Sequence, residues 1–125
     1  KKKKKYQFFF LGPNEGKWLS AIKESVPNSL FPEWGKFQKK NIKGPAFVIA
    51  LSERINCALA NDSGTAHMID AGGAPLVKVF GRSLPGKYTG LTPGSITIDS
   101  RIFGSTDINE ISPNYVIKKI EQHFK

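Results

Sequence analysis

The sequence holds a single cysteine, two histidines and one methionine among 125 residues. One thiol excludes an intrachain disulfide. Cys57 sits in the apolar run Cys57-Ala58-Leu59-Ala60, where it reads as a small buried side chain. Cys57, His67 and His123 are far apart and lack the spacing of metal ligands, so no metal site is expected. Long apolar runs are missing as well. The longest, such as Phe47 to Leu51 and Leu76 to Phe80, fall far short of the roughly 20 residues that span a bilayer. A secretory leader is not expected, because only Phe8 to Leu11 follows the opening lysines before Gly12-Pro13 interrupts. These absences suit a reducing, cytoplasmic setting.

Acidic residues are scarce: 10 against 19 lysines and arginines, a net charge of +9. Five of those charges form the block Lys1 to Lys5, expected to be solvated and frayed. The remaining excess of about four, spread along the chain, suits an anionic ligand or an acidic membrane surface. A nucleic-acid platform would interleave aromatic with basic residues, and this chain does not, so nucleic acid is not an expected partner.

What is present is ordinary for a globular domain: 39% hydrophobic and 23% charged residues, in a length that supports one core. Tyr6 to Leu11 reads as a buried strand that stops at Gly12-Pro13. Glu15 to Val26 reads as a helix, with Trp18, Leu19, Ile22 and Val26 at helical spacing and Pro27 beyond its end. Ser29 to Phe31 suggests a short strand, and 33–44 a polar loop with a helical turn. Pro45 opens a helix expected to run to Ile55, with Phe47, Val48, Leu51 and Ile55 on one face. Cys57 to Ala60 reads as a full strand, Ser63 to Ala71 as a helix closed by Gly72-Gly73, and Leu76 to Phe80 as a strand. Gly81 to Gly94 reads as a loop. Ile96 and Ile98 alternate with polar residues over Ser95 to Asp99, as in an edge strand. Ser112-Pro113 caps a last helix with Val116, Ile117, Ile120 and Phe124 inward.

Alternation of strand and helix predicts an α/β fold: a Rossmann-like parallel sheet with helices on both faces. Continuous apolar strands fit parallel pairing, because such strands are covered on both sides. Ligands of doubly wound sheets bind at the carboxyl ends of the strands. Three loops there carry unusual residues: Gly12 to Gly16, Asn61 to His67, and Gly81 to Tyr88.

The middle loop is the most informative. Asp62 or Ser63 suits a helix N-cap, and Gly64 lets backbone come close to a ligand. Free amides at the helix start form an anion site, and His67, one turn on, can face the same anion. A diphosphate fits. The same four residues are equally compatible with a plain helix cap. Asp62-Ser63-Gly64 also matches a serine-protease triplet, but the chain lacks a histidine and aspartate placed to serve it. Gly-x-Ser-x-Gly, P-loop and Gly-x-Gly-x-x-Gly signatures are absent.

Asn61-Asp62-Ser63-Gly64-Thr65-Ala66-His67-Met68, then Ala71-Gly72-Gly73-Ala74-Pro75-Leu76-Val77, then Val79-Phe80-Gly81 resemble one family's motif. This is the ADP-heptose:lipopolysaccharide heptosyltransferase family, glycosyltransferase family 9. Its motif runs Asp-Ser/Thr-Gly, two residues, His, a small-residue helix, Gly-x-Pro, an apolar strand and Phe-Gly. Leu11-Gly12-Pro13-Asn14-Glu15 is similar to the family's strand-end loop with an acidic residue. Arg82 departs from the family, which often has a small residue or proline there.

The resemblance implies the C-terminal, donor-binding half of a GT-B glycosyltransferase. On this expectation residues 6–125 form one nucleotide-sugar-binding domain. The N-terminal acceptor domain, and the strand and basic loop that open the C-terminal one, are absent. Asp62, Ser63, Gly64 and His67 would then lie at the donor diphosphate and sugar, Glu15 on the nucleotide ribose, Lys87 near a phosphate, and Lys43 to Ala46 beside the adenine. The implied chemistry needs no metal or cofactor and uses an ADP-heptose-like donor in lipopolysaccharide or surface glycan synthesis. It adds a glycolipid acceptor, bound through the missing domain at the cytoplasmic face of the inner membrane. The chain alone would be inactive. Two alternatives stay open: a binding module that keeps the fold without transfer, and a charge-driven nucleic-acid binder.

Overall fold

Alternating periodicities build two compact units, residues 1–43 and 44–125. The computed structural model describes residues 5–34, 44–88 and 92–124, with backbone alone for 87 and 88. In the first unit β1 (Gln7–Phe8) is followed by a 3-10 turn, Gly16–Trp18, that runs into α1 (Leu19–Ser25), then by β2 (Ser29–Leu30). β1 and β2 pair in parallel, Gln7 opposite Ser29 and Phe8 opposite Leu30. The ladder is shorter than the Tyr6 to Leu11 run suggested. Phe9 nevertheless stacks on Phe31 with ring centroids 5.7 Å apart, and the Trp34 indole donates to the Leu11 carbonyl at 3.1 Å. Trp34 also packs directly over Gly16, where a Cβ would stand 2.5 Å from its ring. Leu19, Ile22 and Val26 are half-buried, whereas Trp18 is exposed. Most of the polar stretch expected over 33–44 lies outside the described residues.

In the second unit Gly44, at φ +85°, turns the chain into α2 (Pro45–Ser52). The helix ends three residues before Ile55. Ser52 Oγ donates back to the Val48 carbonyl at 2.7 Å, and the next amides make i→i−3 bonds, Arg54 to Leu51 and Ile55 to Ser52. Such side-chain competition and tightening are how helices close. Then follow β3 (Ala58–Asn61), α3 (Gly64–Ala71), β4 (Leu76–Phe80), α4 (Pro85–Tyr88), β5 (Ile96–Asp99) and α5 (Pro113–His123), with 3-10 turns at Ser100–Phe103 and Ile108–Glu110. The short α4 falls inside the stretch read as loop.

The sheet order is β3-β4-β5, all parallel, with Ala60 opposite Lys78 and Val79 opposite Ile98. The expected α/β class is what the chain adopts. Central β4 is buried at all five positions. Val77, Val79, Ile98 and Ile111 form a core against which Val116, Ile120 and Phe124 pack, one stripe at i, i+4, i+8. Ile117, expected inward, is 51% exposed; it lies at the rim of that stripe, about 100° around the helix from Val116 and about 60° from Ile120. α3 crosses from β3 to β4 and packs on α2; a Cβ on Gly72 would stand 2.4 Å from the Ile49 carbonyl oxygen. β3 is an outer strand of its sheet, not a fully covered one, and Leu59 is 53% exposed. Among the described residues no helix is long and apolar enough to cross a membrane.

Leu76, fully buried, should lose about 2–5 kcal/mol on Leu76→Ala. Ile117→Ser should stay within about 0.5 kcal/mol of the parent. Urea unfolding midpoints check both, and equal losses would contradict the assigned core.

Candidate functional site at the carboxyl edge of the sheet

β3 does not simply stop at Asn61. The Asp62 amide donates to the Val79 carbonyl at 3.2 Å, so the ladder continues one residue and fixes where Asp62 emerges. Ser63 then turns the chain with extended backbone, φ −155° and ψ 165°. Its Oγ accepts from the Ala66 amide at 3.3 Å, and its carbonyl accepts from the His67 amide. Ser63, not Asp62, is therefore the cap. The amides of Gly64 and Thr65 belong to the first turn and have no helical acceptor. Open space lies where a Gly64 side chain would be. A strand-to-helix turn of this kind can seat an anion.

Asp62 faces a different partner. Lys78, buried in the middle of β4, reaches its carboxylate at 3.0 Å, and His67 Nε2 stands 3.9 Å from the same oxygen. Lys78 Nζ also lies 5.2 Å from the Phe80 ring centroid, a favourable place for a cation. Burial alone would raise the Asp62 pKa. Hydrogen bonds from Ser83 and Lys78, with the Lys78 and His67 charges, outweigh it and hold the carboxyl below its ordinary value. The carboxylate is thereby committed to protein cations and hydroxyls, and the His67 side chain stays half exposed beside it.

The loop after β4 is pinned from β5. The Arg101 guanidinium donates to the Ser83 carbonyl at 3.1 Å, to the Arg82 carbonyl at 2.9 Å and to Asp99 at 3.0 Å. Gly81 allows a second close approach. A Cβ there would lie 3.0 Å from the Thr106 carbonyl oxygen and 3.2 Å from the Ile108 nitrogen. Between this loop and the Ser105–Asn109 turn lies an open cleft of about 680 Å³, bordered on its β3 side by Asn61 and Asp62.

Of the residues predicted from sequence, Asp62, Ser63, Gly64 and His67 share one turn. Glu15 belongs to the other unit, where its Oε2 accepts from the Gly12 amide at 2.7 Å and closes its own turn. Lys87 lies on α4, and its side chain is outside the described residues, as is Lys43; Gly44 to Ala46 start α2. Lys78, Ser83 and Arg101 were not anticipated. The signal for Lys78 was its place inside an apolar parallel strand, where a buried charge needs a partner.

Removing one member of a buried pair strands the other. Lys78→Met should therefore cost about 3 kcal/mol near neutral pH, and adding Asp62→Asn should recover most of it. The Asp62 carboxyl is depressed in the folded chain. Its contribution is thus full above the unfolded value and is lost as pH falls through the folded one, below about pH 4. Asp62→Asn should flatten that acid limb in pH-dependent unfolding. Gly81→Ala should shift the amide resonances of Thr106 to Ile108 more than those of α5, because only the former must move.

No protein-family model matches this chain, and no curated protein does. Among solved structures, "The crystal structure of the glycosyl transferase family 9 from Veillonella parvula DSM 2008" is similar at a TM-score of 0.69 and 23% identity. The match covers 94% of this chain and 36% of that one. The chain thus spans little more than a third of that protein's length, and the likeness is one of fold. The resemblance carried by Asn61 to Gly81 has a structural counterpart: over nearly its whole length the chain adopts the α/β fold of a family 9 glycosyltransferase structure.

Proposed function

We propose that residues 44–125 bind the diphosphate of a nucleotide-sugar donor, ADP-heptose-like, for a glycosyltransferase of lipopolysaccharide or surface glycan synthesis. The supporting observation is the Asp62–His67 turn at the carboxyl edge of a parallel sheet, with Ser63 as its cap. There the Gly64 and Thr65 amides point their partial positive charge outward. In this proposal the diphosphate sits on those amides with the His67 imidazole beside it, and Arg82 and Lys87 add cationic charge. Asp62 does not touch phosphate, since two anions would repel; it neutralises Lys78 and orients the turn.

Transfer breaks the bond from the anomeric carbon to the diphosphate oxygen, and the electron pair leaves with the diphosphate. An acceptor hydroxyl attacks the opposite face with inversion and gives up its proton to a base outside this chain. Oriented amides stabilise the developing charge on the leaving group without reorganising, so the work falls on preformed dipoles and assigns no metal. The acceptor, a glycolipid, would bind a domain outside this chain, at the cytoplasmic face of the inner membrane. A second proposal, a module that keeps the fold without transfer, draws on the Asp62 carboxylate and Ser63 hydroxyl being already engaged within the protein.

Titration of the ¹⁵N-labelled chain with ADP should move the amides of Gly64, Thr65 and His67. His67→Ala should weaken binding roughly tenfold, about 1.4 kcal/mol. If those amides stay in place while others move, the donor assignment fails and the second proposal gains.

A further inference from the structure

Arg82 and Ser83 lie beyond the end of β4, yet their backbone is held in place from the neighbouring strand. Register puts Phe80 opposite Asp99, so Arg101, two residues on, stands within reach of the Arg82-Ser83 segment. One oxygen of Asp99 fixes Arg101 twice: Oδ1 accepts from its amide and from its guanidinium, each at 3.0 Å. Backbone and side chain are thus locked by the same acceptor. The planar fork then donates to two successive carbonyls, Ser83 at 3.1 Å and Arg82 at 2.9 Å. A guanidinium holds several acceptors in fixed directions, which an ammonium on a flexible stem does not.

A third of the Arg101 side chain is exposed, and an ion pair so placed adds little to stability by itself. What the arrangement supplies is aim. Ser83, held through its carbonyl, hydrogen-bonds Asp62, the residue that enters the α3 turn. Arg82 and Ser83 border the open cleft beside Asp62, whereas Arg101 does not line it. The guanidinium therefore stands behind the loop and bears on the site through that loop. Side chains that hold others in a productive geometry are a regular part of binding sites.

We propose that Arg101 is a positioning residue for this site. Acting through the Arg82-Ser83 backbone, it places Ser83 on Asp62 and the Arg82 side chain at the ligand edge. It touches no ligand itself. For ADP the proposal rests on the donor reading above; the contact between Ser83 and Asp62 does not depend on that reading.

Two variants separate aim from charge: Arg101→Met removes both, and Arg101→Lys keeps the charge without the fork. In ADP titrations of the ¹⁵N-labelled chain, both should raise the dissociation constant about three- to tenfold over the parent. A ¹³C titration of the Asp62 carboxyl gives a second readout. Its midpoint should move up towards the ordinary carboxylate value in both variants, because the Ser83 bond that lowers it is loosened. A staple that served stability alone would leave that midpoint in place. Positioning is overturned if Arg101→Lys restores the parent affinity and midpoint, since charge then suffices, or if Arg101→Met leaves both unchanged. Weakened ADP binding with the midpoint in place overturns the route through Ser83, and a moved midpoint with parent affinity overturns the role in donor binding. Should Arg101→Met lose the dispersed spectrum of the parent, Arg101→Lys decides. A parent chain that gives no ADP response removes the donor reading, and the Asp62 midpoint then tests Arg101 alone.

Discussion

Lys78 and Asp62 meet at 3.0 Å where the central strand passes the end of its neighbour, and the candidate site is arranged around that contact. A lysine inside a strand buried on both faces is costly unless its charge is matched. The match comes from the first residue beyond β3, so the strand-to-helix turn cannot shift without exposing one of the two charges to an apolar surrounding. Ion pairs of this type add little net stability compared with a well-packed apolar pair. Their effect is to specify geometry, and here they specify where Asp62, Ser63 and the first amides of α3 sit.

Two further constraints converge on the same edge. Ser83 hydrogen-bonds Asp62 and is held through its carbonyl by Arg101, which Asp99 anchors at the end of β5. The ends of all three strands of the sheet are thus joined by polar side chains. Gly81 lets the Thr106 to Ile108 backbone approach the Phe80-Gly81 corner more closely than any side chain would allow. A Phe-Gly pair after an apolar strand therefore has a physical reason in this chain: the phenylalanine is fully buried, and the glycine admits the neighbouring loop.

The parts legible in the sequence were those governed by local rules. Apolar runs placed β4 and β5, capping chemistry placed α3 and α5 at Ser63 and Ser112, and Gly72-Gly73 closed α3. The ends of α2 and β1 were misplaced because they depend on contacts distant in sequence or on side-chain competition: the Ser52 hydroxyl with its own helix, the Trp34 indole on the Leu11 carbonyl. Ile117 was assigned inward because hydrophobicity alone does not say how wide a buried stripe is. At the site, Asp62, Ser63, Gly64 and His67 could be found because they are contiguous. Ser83 and Arg101 could not, since serine and arginine after a strand read as ordinary loop residues until the fold brings them together.

Division of labour at this edge follows from charge. The α3 amides carry positive potential, whereas among the described residues the cleft is bordered by the carboxylates of Asp62 and Asp107, the Arg82 guanidinium and neutral hydrogen-bonding groups. Such a contrast over a short distance separates an anionic from a neutral portion of one ligand, and it orients that ligand as well. A nucleotide sugar has that polarity, a charged diphosphate joined to an uncharged polyol. In the proposed donor reading, repulsion from Asp62 and Asp107 keeps the diphosphate off the cleft side of this edge.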